Sequence, residues 1–209
     1  MTAKEDASTV ATPGRRAIFW KMFTIFLVAA AAGLMVLSQA AAMVRAYGGT
    51  LALSLWATTA ITGAIACARL AGGWLVDRFS IPAVMAGAQA FALAGTIILT
   101  LLPTAESATV TLCMIGMGYG FISGSVAAAI AVYWSQAEFG RVASQLYIAW
   151  CIAAVSLPVV AGRLFDLTGG YRTAIIIAGA GNFIGVLVAA TLPRARPTMA
   201  NLGNGVAAE

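Results

Sequence analysis

The chain has 209 residues, of which 61% are hydrophobic and only 9% charged, with a formal net charge of +5. A water-soluble domain carries about 25% charged residues, so most of this surface must meet lipid, and the net charge alone makes no case for nucleic-acid binding. Histidine is absent, which removes the commonest metal ligand and general base; with no phosphate loop after a strand either, no enzyme, metal or cofactor is expected.

Residues 1–17 are polar or small and read as a disordered leader. The first apolar stretch, Ile18–Met43, follows Arg15-Arg16 in the manner of a secretory signal. Its apolar run exceeds the ~7–15 residues of a signal core, so it reads as a retained first span. Five more stretches follow: Leu51–Val76, Ala83–Leu102, Ala108–Tyr133, Val142–Phe165 and Ala174–Leu192. Each has the ~20 residues needed to cross a hydrocarbon core about 30 Å thick. Lipid offers the backbone no hydrogen-bond partner, so all six should be helices. Turn residues punctuate them, among them Tyr47-Gly48-Gly49, Pro103-Thr104 and Gly169-Gly170. Pro158 inside span five lacks an N–H and predicts a kink there. Residues 18–193 thus form one transmembrane domain, and residues 194–209 a disordered tail.

An even number of spans puts both termini on one side. That side collects Lys4, Arg15, Arg16, Lys21, Arg78, Arg141, Arg194 and Arg196; the other has Arg45, Arg163 and Arg172. The asymmetry makes both termini cytoplasmic in a plasma (inner) membrane protein.

Two apolar stretches end in Gly-x-x-x-Asp: Gly73-Trp-Leu-Val-Asp77 and, 89 residues later, Gly162-Arg-Leu-Phe-Asp166. The offset is the length of three spans with their loops. It places the two copies on opposite membrane faces, so the fold class is an all-α membrane protein of two inverted three-helix repeats. A fainter echo matches Gly33, Ser38 and Ala40 with Gly120, Ser125 and Ala127 at an offset of 87. At the helix ends Gly73, Asp77, Arg78, Gly162 and Asp166 could act as a conformational latch, or Asp77 and Arg78 could be an ordinary solvated helix end.

Arg69 lies eight residues before Asp77, about 12 Å deeper along the helix. A guanidinium at mid-membrane costs ~2.5–3.5 kcal/mol or more unless compensated, and no Asp or Glu lies at that depth in any predicted span. Water, backbone carbonyls or an anionic ligand remain as partners; the alternative is an arginine that snorkels to the surface or braces Asp77. Thr58, Thr59 and Thr62 precede it along span two as a mildly polar stripe.

Tyr119 and Ser123 in span four sit one turn apart, as do Tyr147 and Trp150 in span five, and these could line a cavity for a polar solute. Gln39 and Asn182 are polar groups in apolar spans, either bridging helices or, for Gln39, joining that cavity. Gly116, Gly120 and Gly124 recur every four residues and read first as a close helix-packing face. Cys67, Cys113 and Cys151 show no Cys-x-x-Cys spacing and read as small packing residues.

Four runs carry a resemblance: Ala-Gly-Leu-Met-Val-Leu-Ser-Gln-Ala at 32–40, Ala-Arg-Leu-Ala-Gly-Gly-Trp-Leu-Val-Asp-Arg at 68–78, Gly-Tyr-Gly-Phe at 118–121 and Gly-Arg-Leu-Phe-Asp-Leu-Thr-Gly-Gly-Tyr at 162–171. In this order, over residues 17–193, the chain resembles the major facilitator superfamily, and within it the C-terminal half of oxalate/formate antiporter-type transporters. The resemblance implies that the six spans are helices seven to twelve of a twelve-helix carrier, half of a major-facilitator fold. Arg69 then matches the eighth-helix arginine that holds a substrate carboxylate, and Tyr119 and Ser123 match tenth-helix pocket positions. Trp150 stands where the oxalate carriers have a helix-eleven lysine, which favours a monocarboxylate over oxalate. Ser80, Ile81 and Pro82 replace the usual glycine and basic residues of the loop motif, which weakens the latch.

The expected function is a secondary transporter, or half-transporter, for small organic anions, working by alternating access beside a second six-helix half. That half would be a separate chain or a second copy. The competing reading is a non-transporting membrane subunit or a truncated, inactive remnant. A channel has less support, since no charged ring or carbonyl filter is visible.

Overall fold

In a computed structural model, the structure describes residues 13–194. Seven α-helices follow in order: α1 (Pro13–Ala46), α2 (Leu51–Arg78), α3 (Ile81–Leu101), α4 (Ala105–Tyr133), α5 (Phe139–Val155), α6 (Leu157–Thr168) and α7 (Arg172–Ala190), with a 3-10 turn at Gln136–Glu138 before α5. They make six segments long and apolar enough to cross a membrane, because α5 and α6 share the fifth crossing. No strand occurs among the described residues. The predicted spans are all present, with ends shifted by a few residues. α1 starts at Pro13, inside the predicted leader, because proline loses nothing at a helix start where its missing N–H has no partner. The rest of the leader with Lys4, and the tail with Arg196, lie outside the described residues.

Local chemistry accounts for the helix ends. The Thr50 hydroxyl accepts from the Leu53 N–H at 3.2 Å, and Thr104 and Ser107 form a reciprocal capping box at α4. α6 ends where Gly169 adopts φ +72°, and its N–H donates to the Phe165 carbonyl at 2.8 Å. A side chain at that position would be strained, so the glycine fixes the stop. The predicted kink in span five is a full division at Ser156, with φ −83° and ψ −87°. Pro158, the second residue of α6, has no N–H to return to the Ala154 carbonyl, so the helix restarts instead of continuing.

The packing partners of the two repeats mirror one another. α2 packs on α4, and its counterpart α5–α6 packs on α1; α3 packs on α4 and α7 on α1. α1 meets α4, and α3 meets α7, which closes the symmetry. α1 and α4 therefore form the centre, with Ile25, Met35, Met43, Leu112, Ile115 and Ile122 all fully buried. Crossings two and five are the least covered, with 28% and 22% of their apolar windows buried against 50% and 56% in crossings one and four.

Contacts tie the bundle together at both ends. At the N-terminal end Arg15 Nη1 donates to Glu138 Oε2 at 3.0 Å, and Arg141 pairs with the other oxygen at 3.5 Å. The Ser135 hydroxyl first, then Arg15 and Arg141, hold the Glu138 carboxyl below the ordinary carboxylate range. Lys21 Nζ donates to the Thr191 carbonyl at 2.8 Å on the same end. At the far end Tyr171 stacks on Phe165 with centroids 4.7 Å apart, and its hydroxyl donates to Gln39 Oε1 at 3.1 Å. Between α1, α3 and α7, Gln89 Nε2 donates to the Ile25 carbonyl at 2.9 Å, while the fully buried Asn182 amide has no partner among the described residues.

Candidate functional site

The site begins with a close approach of two backbones. A side chain at Gly124 on α4 would strike the Arg69 carbonyl, and one at Gly120 would meet the Ala68 Cβ at 2.7 Å. The glycine face read from the sequence is thus the seat of α2, and it sets the height of Arg69 beside α4. Gly33 on α1 has no side chain where the Tyr119 ring lies. That opening lets a tyrosine on the central helix be buried to 2% exposure while its hydroxyl reaches the arginine.

Arg69 Nη2 donates to the Tyr119 oxygen at 2.8 Å, and Trp150 Nε1 donates to the same oxygen at 2.8 Å. The guanidinium carbon also lies 5.2 Å from the Tyr119 ring centroid, within cation–π range. A phenol oxygen that accepts twice still has a proton to donate. No carboxylate pairs with Arg69 among the described residues. The arginine is exposed on the bundle surface, with its guanidinium turned to the Tyr119 hydroxyl and no ion pair to Asp77 among the described residues.

These three side chains form one wall of a cavity of about 340 Å³ lined by Phe26, Arg69, Tyr119, Ser123, Tyr147 and Trp150. Five of the six residues read from the sequence as cavity-lining therefore come together, from α2, α4 and α5. Phe26 on α1 is the addition, edge-on to Tyr147 at 5.7 Å. Ser123 donates to the Gly120 carbonyl at 3.0 Å, which leaves its lone pairs to face the cavity.

Gln39 is not among the lining residues. It bridges to Tyr171 at the far end of the bundle, with its amide nitrogen 3.7 Å from a Cβ built on Gly162. The candidate latch residues also lie outside the cavity. Gly73 faces α4 at Gly124 just as Gly162 faces α1 at Gln39, as the repeat requires. Asp77, Arg78 and Asp166 are exposed and form no ion pair among the described residues; the Arg78 guanidinium stands 5.0 Å from the Trp74 ring centroid instead. Cys67 and Cys151 are exposed rather than packed, and only Cys113 is partly covered. Their surfaces fall on the least covered crossings, where small side chains have no neighbour to fill against.

No curated protein matches the chain in sequence. Among solved structures, a mutant of the peptide transporter POT in complex with sulfate superposes with a TM-score of 0.69 at 21% identity, over 83% of this chain and 37% of that one. The same transporter mutant with alafosfalin gives 0.66 at 20% identity, over 84% of this chain and 41% of the other. At such identity the likeness establishes a shared fold, and the chain spans about two fifths of those carriers' length. The family model of the Major Facilitator Superfamily matches residues 14–207. With six apolar crossings in the expected repeat and a family model that covers nearly its whole length, this integral membrane chain belongs to the Major Facilitator Superfamily.

Proposed function

We propose that the chain is a six-helix transport unit for small organic anions, with a carboxylate held bidentately by the Arg69 guanidinium. The observation that carries the reading is a mid-span arginine on a cavity wall whose partner is a phenol rather than a carboxylate. A planar guanidinium keeps several N–H groups beyond the one given to Tyr119, in the fork that suits a carboxylate. Among the described residues only one cation lines the cavity, so one carboxylate is neutralised and a monocarboxylate suits it better than oxalate.

In this reading transport proceeds by alternating access, with a second six-helix unit, a separate chain or a second copy, completing the cavity. The alignment to only 37% and 41% of the superposed carriers supports a larger assembly. The basic residues concentrated at the N-terminal end support cytoplasmic termini in the plasma (inner) membrane. The competing reading is a non-transporting subunit that packs against other helices, and it is favoured by Asp77, Arg78 and Asp166 forming no ion pair among the described residues. Exchange of radiolabelled formate and acetate in vesicles, with the chain alone and with a co-expressed second unit, separates the two. Arg69→Gln should abolish exchange and Arg69→Lys should retain part of it. Equal exchange by wild type and Arg69→Gln would refute the proposal.

A further inference from the structure

We infer that the ligand is a monocarboxylate with an aromatic or similarly flat apolar body and no amino group; this deepens the carboxylate reading above and rests on it. Four of the six lining side chains are aromatic, Phe26, Tyr119, Tyr147 and Trp150, drawn from three different helices. Phe26 and Tyr147 meet edge to face at 81°, the arrangement in which one ring's positive edge meets the other's negative face. The charge, by contrast, is confined to one corner where Arg69, Tyr119 and Trp150 converge.

Such a division between a single cationic corner and apolar walls sorts ligands by shape and charge. A second carboxylate would lose its hydration against aromatic surfaces with neutral hydroxyls but no second cation among the described lining residues to compensate it. An ammonium group would find no carboxylate to pair with, since neither Asp nor Glu lines the cavity among the described residues. A one- or two-carbon acid satisfies Arg69 and leaves most of a cavity of about 340 Å³ unused. A phenyl ring held on a short linker reaches the aromatic walls while its carboxylate stays on the arginine.

The test is direct binding to the purified full chain in nanodiscs, read by calorimetry, with acetate, oxalate, 3-phenylpropionate, phenylalanine and 3-phenylpropanol. 3-Phenylpropionate should bind at least about tenfold tighter than acetate. Tenfold is ~1.4 kcal/mol, the amount supplied by roughly 55 Å² of apolar surface at about 25 cal/mol per Å². It should also exceed phenylalanine and the uncharged alcohol by about tenfold or more, with oxalate no tighter than acetate. Tyr147→Leu should erase the advantage over acetate. The ligand series on the native chain decides the matter even where a variant does not fold. Acetate or oxalate as tight as 3-phenylpropionate, with Arg69→Gln abolishing both, would overturn the aromatic inference and leave the carboxylate reading standing. Binding of every acid unchanged in Arg69→Gln, or no acid bound by the wild type either alone or with the co-expressed second unit, would overturn both.

Discussion

Replacing Gly124 by alanine tests the link between helix packing and the position of Arg69. The added methyl would lie against the Arg69 carbonyl, with the carbonyl carbon at 2.8 Å and the Cα at 3.0 Å. Carbon atoms attract best at about 3.5–4.0 Å, so α2 and α4 must part by roughly 1 Å at this level. Overpacking of this kind costs ~1–3 kcal/mol, and the obstacle is backbone that cannot rotate aside. Gly116, two turns earlier on the same face, supplies the control. A Cβ there meets the Ile65 Cγ1 at 3.0 Å and its Cδ1 at 3.2 Å, side-chain atoms that need give by only a few tenths of an ångström where the Arg69 backbone must give far more. Gly124→Ala should therefore unfold at distinctly lower denaturant than Gly116→Ala in mixed micelles, followed by circular dichroism. It should also weaken anion binding, because the arginine moves with α2 away from Tyr119. Equal unfolding midpoints and equal anion affinity in the two variants would refute the reasoning.

Three further outcomes follow from single groups. Tyr119→Phe deprives both Arg69 and Trp150 of their shared acceptor; a loss of ~1.5–3 kcal/mol is the scale for a bond to a charged group, and the exposure of Arg69 puts the expected destabilisation at the lower end. Weaker anion binding and a shifted Trp150 emission should accompany it, and unchanged spectra and affinity would count against the shared bond. Glu138 is held below its ordinary pKa in the folded chain, so its contribution is present above the unfolded value and disappears as pH falls through the lower folded one. The stability gap between wild type and Glu138→Gln should thus be steady at neutral pH, begin to narrow near the ordinary carboxylate value of 4.5 and close in stronger acid; a gap that widens in acid would contradict the pairing. Asn182→Leu exchanges a fully buried amide without a partner among the described residues for an apolar group. An unsatisfied buried group costs about 1–3 kcal/mol, so the variant should resist unfolding better than wild type, and a loss of stability would reveal a partner for the amide.

The crossings were legible because a lipid-facing helix must be apolar over its whole length, and that signal is dense. Arg69 was legible for the opposite reason, as a charge where none is cheap. Tyr119, Ser123, Tyr147 and Trp150 stood out as polar-tipped residues at helical spacing. Phe26 did not, because a phenylalanine in an apolar span looks the same whether it faces lipid, core or cavity. Gln39 is equally polar, yet its height on α1 carries it to Tyr171, and height relative to another helix is a tertiary property. Pro158 announced a disturbance without saying whether the helix would bend or divide. The exposure of Cys67 and Cys151 depended on which crossings lie at the edge of the bundle, which periodicity alone does not reveal.

The central place of α4 has a consequence for how the chain is built. α4 packs on α1, α2 and α3, all of which precede it, while α5, α6 and α7 add chiefly to α1 and α3. A chain emerging from its N-terminus can therefore complete a four-helix core before the fifth crossing is made. Arg69 enters lipid on α2 without a phenol beside it, at the ~2.5–3.5 kcal/mol or more that such a charge costs. Tyr119 relieves that exposure when α4 arrives, and Trp150 comes only afterwards. The order of synthesis thus assembles the anion corner in two stages, first the charge with its phenol and then the indole that completes it.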